Sequence, residues 1–190
     1  MRHFIQRVFE RAVARRRDYR MFVAVPAQPA IADAAIRYFD HASPPPRDVL
    51  DWYDHHNGVT GRILMMARLK KQQASLLVLS DDPDPIAYGW LQLGPALRYE
   101  FGWLTEPWLC LGPYWTDEQQ RGKGAYGRLL THSLHIYRER FPQHTAYIWA
   151  QADNAASIRG IEKAGFTPFG THRIATYGFG LVRRHRVISK

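Results

Sequence analysis

The sequence predicts a single α/β domain built on a mixed sheet. Three observations predict it. A chain of 190 residues, 46% hydrophobic with six tryptophans, has the size of one domain around one core. Residues 74–80 and 86–93 read as two strands joined by a turn around Asp81 and Asp84, which makes a hairpin. From residue 109 onward strand and helix patterns alternate as β-α-β-α-β.

The elements follow in order. Phe4, Ile5, Val8, Phe9, Ala12 and Val13 recur at helical spacing among arginines, so residues 1–17 are expected to form a basic amphipathic helix ahead of a domain over 18–190. A first strand is expected over 17–25, ending at Pro26, then a helix over 28–41 and a rigid break at Ser43 to Pro46. Residues 48–56 and 60–72 read as two helices separated by Asn57 and Gly58. The hairpin comes next, then an ambiguous aromatic stretch over 95–107. A buried strand over 109–116 leads into a polar, glycine-containing loop. Tyr126, Leu129, Leu130, Ser133, Leu134 and Tyr137 then mark a helix over 125–140. A strand over 145–152 and a helix over 154–164 follow, the helix capped by Asp153 or Asn154 and stopped at Gly165. Two strands near 166–174 and 178–188 finish the chain.

The loop before the helix at 125 carries the chemistry. It runs Gln119-Gln120-Arg121-Gly122-Lys123-Gly124-Ala125-Tyr126-Gly127. Free N–H groups at a helix start face outward, and the helix dipole favours an anion there. Gly122 and Gly124 present no side chain to block a phosphate, and Arg121 and Lys123 add positive charge. A diphosphate linkage suits this arrangement. Other readings of the loop are a dinucleotide fingerprint, since Gly122, Gly124 and Gly127 have the G-x-G-x-x-G spacing, and a glycine-rich connection with no ligand. The fingerprint needs further βαβ units downstream, and only 25 residues follow Gly165. A Walker A loop fails, because neither Ser nor Thr follows Lys123.

A second motif runs Asn154-Ala-Ala-Ser157-Ile-Arg159-Gly-Ile161-Glu162-Lys163-Ala-Gly165-Phe166. The two motifs, in this order and spacing, resemble motifs A and B of the GNAT superfamily of N-acetyltransferases, over roughly residues 70 to 180. The resemblance implies a mixed, mostly antiparallel central sheet flanked by helices. It implies acetyl-coenzyme A as acyl donor, no metal, and transfer to an amine. The cofactor contacts it implies are Trp115, Thr116, Arg121, Gly122, Lys123, Gly124, Ala125, Tyr126, Asn154, Ser157 and Arg159, with Asn154 on the pantetheine arm. A plain N-cap is the other reading of Asn154, and a solvated helix face is the expectation for Glu162 and Lys163. Three positions depart from the family pattern. Tyr126 stands where many members have a small residue. Ile161 stands where many have a tyrosine that protonates the departing thiolate. Cys110 stands where some have a catalytic glutamate. Strand alternation puts Cys110, Gly112, Tyr114 and Thr116 on one face, so Tyr114 is the candidate catalytic residue, with a packed core tyrosine as the alternative.

Composition bounds the partners. One cysteine excludes an internal disulfide and fits a reducing compartment. No run of 18 apolar residues and no N-terminal apolar stretch suggests a span or a signal peptide, so a cytoplasmic location is expected. The net charge of +9 sits at the ends: residues 1–20 carry seven arginines against Glu10 and Asp18, and residues 181–190 carry Arg183, Arg184, Arg186 and Lys190. The charge placement and lack of a recognition motif argue against nucleic acid. The basic helix suits an anionic membrane surface at the inner face, or an acidic acyl carrier protein, or packing on its own domain. The expected acceptor is a primary amine of a small molecule or sugar. The alternatives are a longer acyl chain delivered on a carrier protein, a hydroxyl acceptor, and a non-catalytic module that binds acyl-coenzyme A.

Overall fold

The computed structural model describes residues 15–25, 30–81, 83–97, 104, 107–177 and 182–189. Eight strands form one sheet: β1 (Arg15–Val23), β2 (Ile36–Phe39), β3 (Ala74–Asp81), β4 (Asp84–Leu93), β5 (Trp108–Thr116), β6 (Thr145–Gln151), β7 (Thr167–Tyr177) and β8 (Val182–Ser189). Their spatial order is β2-β3-β4-β5-β6-β1-β7-β8. Every neighbouring pair is antiparallel except β5 with β6. Among the described residues three helices flank the sheet: α1 (Arg47–Lys70), α2 (Ala125–Arg140) and α3 (Ala155–Lys163).

Side-chain alternation splits the core by face. On one face Leu77, Leu79, Ala87 and Leu91 pack with Leu129, Leu130 and Leu134 of α2 and Ile158 and Ile161 of α3. On the other face Leu76, Val78, Tyr88 and Trp90 pack with Val49, Tyr53, Met65 and Leu69 of α1. A third cluster on this second face joins Met21, Trp108, Cys110 and Tyr147. The parallel β5–β6 pair is joined through α2, as a parallel connection requires.

The order of elements from residue 47 onward agrees with the sequence expectation, and two early elements differ. Residues 36–39 form a strand, where a helix over 28–41 is expected. Ile36-Arg-Tyr-Phe39 pairs with Phe39↔Leu76 through Ile36↔Leu79, so edge pairing of a β-branched and aromatic run overrides local helix preference. Residues 15–17 belong to β1 and pair with Thr176, Ala175 and Ile174, so a helix cannot extend over them. The remainder of the expected N-terminal helix, residues 1–14, lies outside the described residues, as does most of the aromatic stretch over 98–106. The break between the two helices of 47–70 falls at Gly58, whose φ of +68° is left-handed.

One contact ties the loop before β2 to the start of α2. Arg128 donates to both carboxylate oxygens of Asp33 at 2.7 and 3.1 Å. The Asp33 N–H donates to His132 Nδ1 at 2.9 Å, which requires that nitrogen to be unprotonated. Burial, reinforced by nearby His135, holds the pKa of His132 below its ordinary 6.5, although Asp33 and Glu139 oppose this. The Arg128 guanidinium holds Asp33 below the usual carboxylate range. His132 is therefore favoured neutral in the folded state. Its contribution is complete above pH 6.5 and is lost as pH falls below that value. The melting temperature is expected to drop between neutral pH and about pH 5. His132→Asn, whose side-chain oxygen can accept the same N–H, should flatten that slope in thermal denaturation across the same range.

Candidate active site

The site begins where two strands part. β5 and β6 pair only from Trp108↔Thr145 to Cys110↔Tyr147. Beyond Cys110 they diverge, because β5 carries a bulge. Its register with β4 moves from Leu91↔Leu111 to Gly89↔Tyr114, so β5 holds one residue more than its partner. Gly112 adopts φ +115° there, a conformation that favours glycine. The buried Gln92 side chain donates to the Gly112 carbonyl at 2.6 Å. The Tyr114 ring occupies the space where a Cβ on Gly89 would stand.

The bulge corrects the alternation argument. With the extra residue Tyr114 joins Leu111 in the cluster under α2, while Cys110 faces the opposite side with Trp108 and Tyr147. Cys110 and Tyr114 are not on one face. The Tyr114 hydroxyl donates to Ser133 Oγ at 2.9 Å, and Ser133 donates to the Leu129 carbonyl at 2.7 Å. Burial pushes the Tyr114 pKa well up.

A cleft of about 1230 Å³ fills the opening. Trp115 and Thr116 of β5, Arg121, Gly122 and Gly124 of the loop, Ala125 and Tyr126 of α2, and Asn154 and Ser157 at the start of α3 all line it. Gly124 is the N-cap of α2, with φ +89°, and Gly122 has φ +80°. A Cβ on either would meet nothing within 4 Å, so conformation and not crowding requires glycine. The first bond of α2 runs from Arg128 N–H to the Gly124 carbonyl. The amides of Ala125, Tyr126 and Gly127 therefore lie at the open, positive end of the helix. Upstream, Asp117 accepts from Gln119 N–H at 2.8 Å and fixes the start of the loop.

Two expected contacts lie elsewhere. Lys123 donates to Gln120 Oε1 at 3.1 Å and does not line the cleft. Arg159 is exposed on α3, outside the lining. Lys163, expected on a solvated face, is exposed and lines the cleft with Ala156 and Gly160. Positions 156, 160 and 163 recur at helical spacing, so the face was readable once α3 was placed. Tyr19 and Gln151, paired across β1 and β6, also line the cleft and carry no sequence signal. Asn154 is an N-cap, accepting from Ser157 N–H at 3.1 Å, and it also lines the cleft.

Tyr126 joins the two helices across the cleft. Burial raises the pKa of its hydroxyl, and Ser157 at the start of α3 partly offsets that rise. Its ring stands edge-on to Tyr114 at 5.4 Å. The ring lies 2.7 Å from where a Cβ on Gly160 would sit. The family's small residue is thus exchanged for a large one here and a glycine faces it on α3.

With the geometry in place, known proteins can be compared. The sequence profile of the acetyltransferase (GNAT) family matches residues 29–166, and the chain belongs to that family. A search of curated proteins gives no match. Among solved structures, a GNAT-family acetyltransferase from Novosphingobium aromaticivorans is 17% identical with a TM-score of 0.59, covering 85% of this chain and 64% of that one. A GNAT-family acetyltransferase from Colwellia psychrerythraea is 14% identical with a TM-score of 0.59, covering 90% of this chain and 60% of that one. This chain thus spans about three-fifths of the length of these two. The aminoglycoside 6'-N-acetyltransferase of Acinetobacter haemolyticus is 21% identical with a TM-score of 0.50, covering 70% of this chain and 90% of that one. At these identities the likeness is one of fold.

The Tyr126–Gly160 contact predicts a reversal of sign. Gly160→Ala should gain up to about 1 kcal/mol from helix propensity but lose about 1–3 kcal/mol from crowding the Tyr126 ring. Alone it should lower the melting temperature. In a Tyr126→Ala background the same change should raise it. Equal effects in both backgrounds would show that the two residues are uncoupled.

Proposed function

We propose that the chain moves an acetyl group from acetyl-coenzyme A to a primary amine of a small molecule or sugar. The observation that carries this reading is the cleft between parted β5 and β6, which runs on to the open amino end of α2. Its residues fit the cofactor in chemistry: backbone amides and Arg121 for a diphosphate, and Asn154 with strand-end backbone for an extended arm carrying amides. Bound there, coenzyme A supplies an activated thioester and a good leaving group. The protein's part is to hold it and to exclude water from the cleft. Among the described residues no cluster of three or more His, Cys, Asp or Glu could hold a metal ion. No helix among them is long and apolar enough to cross a membrane.

The general acid is where this chain departs from its family. Ile161, fully buried, replaces the usual tyrosine and has no proton to give. Tyr114 lines the cleft, but its proton is directed to Ser133, whose own proton goes to a helix carbonyl. Donation from Tyr114 requires that chain to break. Direct attack without a dedicated acid is the reading that fits these bonds. A non-catalytic acyl-coenzyme A-binding module is the second reading, supported by the same replacement at Ile161. The similar fold of the aminoglycoside 6'-N-acetyltransferase of Acinetobacter haemolyticus supports an amine acceptor for this chain, through fold alone. The basic segment 1–14 is proposed as an auxiliary contact to an anionic surface or carrier. Its removal is expected to leave coenzyme A binding intact.

Acetyl-coenzyme A should raise the melting temperature, because it binds the folded state alone. Gly124→Val places a β-branched residue at φ +89° and should abolish the shift. Tyr114→Phe should keep the shift and lower stability by about 1 kcal/mol through the lost hydrogen bond. Its rate of thiol release with amines should stay within about threefold of the parent, whereas a loss near a hundredfold would restore Tyr114 as general acid.

A further inference from the structure

The outer face of α1 has no role in the cleft. It packs on the sheet face opposite α2 and α3, holding Met65 and Leu69 inward. Outward, past the break at Gly58, stand Val59, Ile63, Leu64 and Met66, which are 59%, 61%, 63% and 37% exposed. These are four of the six exposed large apolar residues among those described. Single exposed apolar residues are ordinary on a protein surface, but Val59, Ile63 and Met66 on successive turns of one helix form a ridge, with Leu64 to one side of it.

Charge tells what the ridge meets. No acidic residue occurs from 59 to 73, and Arg62, Arg68, Lys70 and Lys71 are basic. Arg62 pairs with Asp54 at 2.9 Å, and Arg68 lies over the Trp90 ring at 4.7 Å, so both are occupied. Lys70 and Lys71 are exposed at the end of the ridge. Residues 59, 63, 66 and 70 follow one line along the helix, so the apolar line ends in a cation.

We propose that this ridge seats the protein on an anionic lipid surface, with Val59, Ile63, Leu64 and Met66 entering the acyl boundary and Lys70 and Lys71 meeting headgroup phosphates. Convex apolar side chains beside cations suit an interface that deforms around them. A second copy of the chain is less suited. Four partly exposed side chains offer a few hundred square ångströms, below the ~800 Å² per partner of a standard interface, and both ridges would bring like charges.

The test uses the full chain and sedimentation with vesicles of phosphatidylcholine, with and without phosphatidylglycerol. Binding is expected only with phosphatidylglycerol and should weaken with salt. Ile63→Ser with Leu64→Ser, both at exposed positions, should lower the partition constant by about tenfold or more. Lys70→Glu with Lys71→Glu should lower it similarly. Melting temperature and the coenzyme A shift should be unchanged in both variants, which separates this proposal from the cleft's function. Vesicle binding that is equal in the parent and the double-serine variant overturns the proposal and assigns binding to another basic segment. No binding by the parent overturns it too, as does a serine variant that only converts a dimer to a monomer.

Discussion

One extra residue in β5 governs the site. The bulge between Leu111 and Tyr114 is stabilised from β4 by the Gln92 side chain and by the space left at Gly89. β5 then leaves β6 after Cys110, and neither strand supplies the other's backbone partners beyond that point. A paired sheet would close the region now occupied by the cleft. The same bulge turns Tyr114 toward α2, where it meets Ser133 and the Tyr126 ring. Cleft and tyrosine pair therefore follow from one backbone irregularity. Gly122 and Gly124 complete it by letting the chain turn into α2 with its first amides open.

This explains what could be read in the sequence. From β3 to β8 the pattern was legible, because each strand is bounded by a turn residue and each helix has apolar residues at helical spacing. The loop from Arg121 to Gly124 and the cap at Asn154 were legible because helix starts demand particular residue types. The bulge was not, since nothing in Leu111-Gly-Pro-Tyr114 states that β4 opposes it with one residue fewer. The inferred shared face of Cys110 and Tyr114 fails for that reason alone. β2 carries no local signal of its own, because its four residues gain strand form only through an edge partner. Tyr19 and Gln151 reach the cleft through pairing of strands distant in sequence, which local pattern cannot supply. Lys163 gives no local signal, because a basic residue beside an acidic one on a helix is usually solvated; here Glu162 faces Arg20 at 3.6 Å while Lys163 lines the cleft.

The cleft also shows how a family scaffold absorbs substitutions. Tyr126 replaces a small residue, and the room for its ring comes from Gly160 on the neighbouring helix. Its hydroxyl is held by burial above the ordinary tyrosine range, with Ser157 opposing that shift. Ile161 replaces a proton donor and joins the core beneath α2. The two changes leave a cleft that is aromatic on its walls and has its polar groups at the loop and helix ends. The loop and helix start keep the backbone geometry of the family motif, whereas the side chains at 126 and 161 are exchanged.

Amide hydrogen exchange with and without acetyl-coenzyme A addresses the central claim directly, that the parted strands and the start of α2 form the cofactor cleft. Saturating cofactor should slow exchange in the segments spanning 121–128 and 148–157, while the segment of α1 spanning 59–71 stays unchanged. Protection absent from both cleft segments, or found only elsewhere in the sheet, would contradict the account.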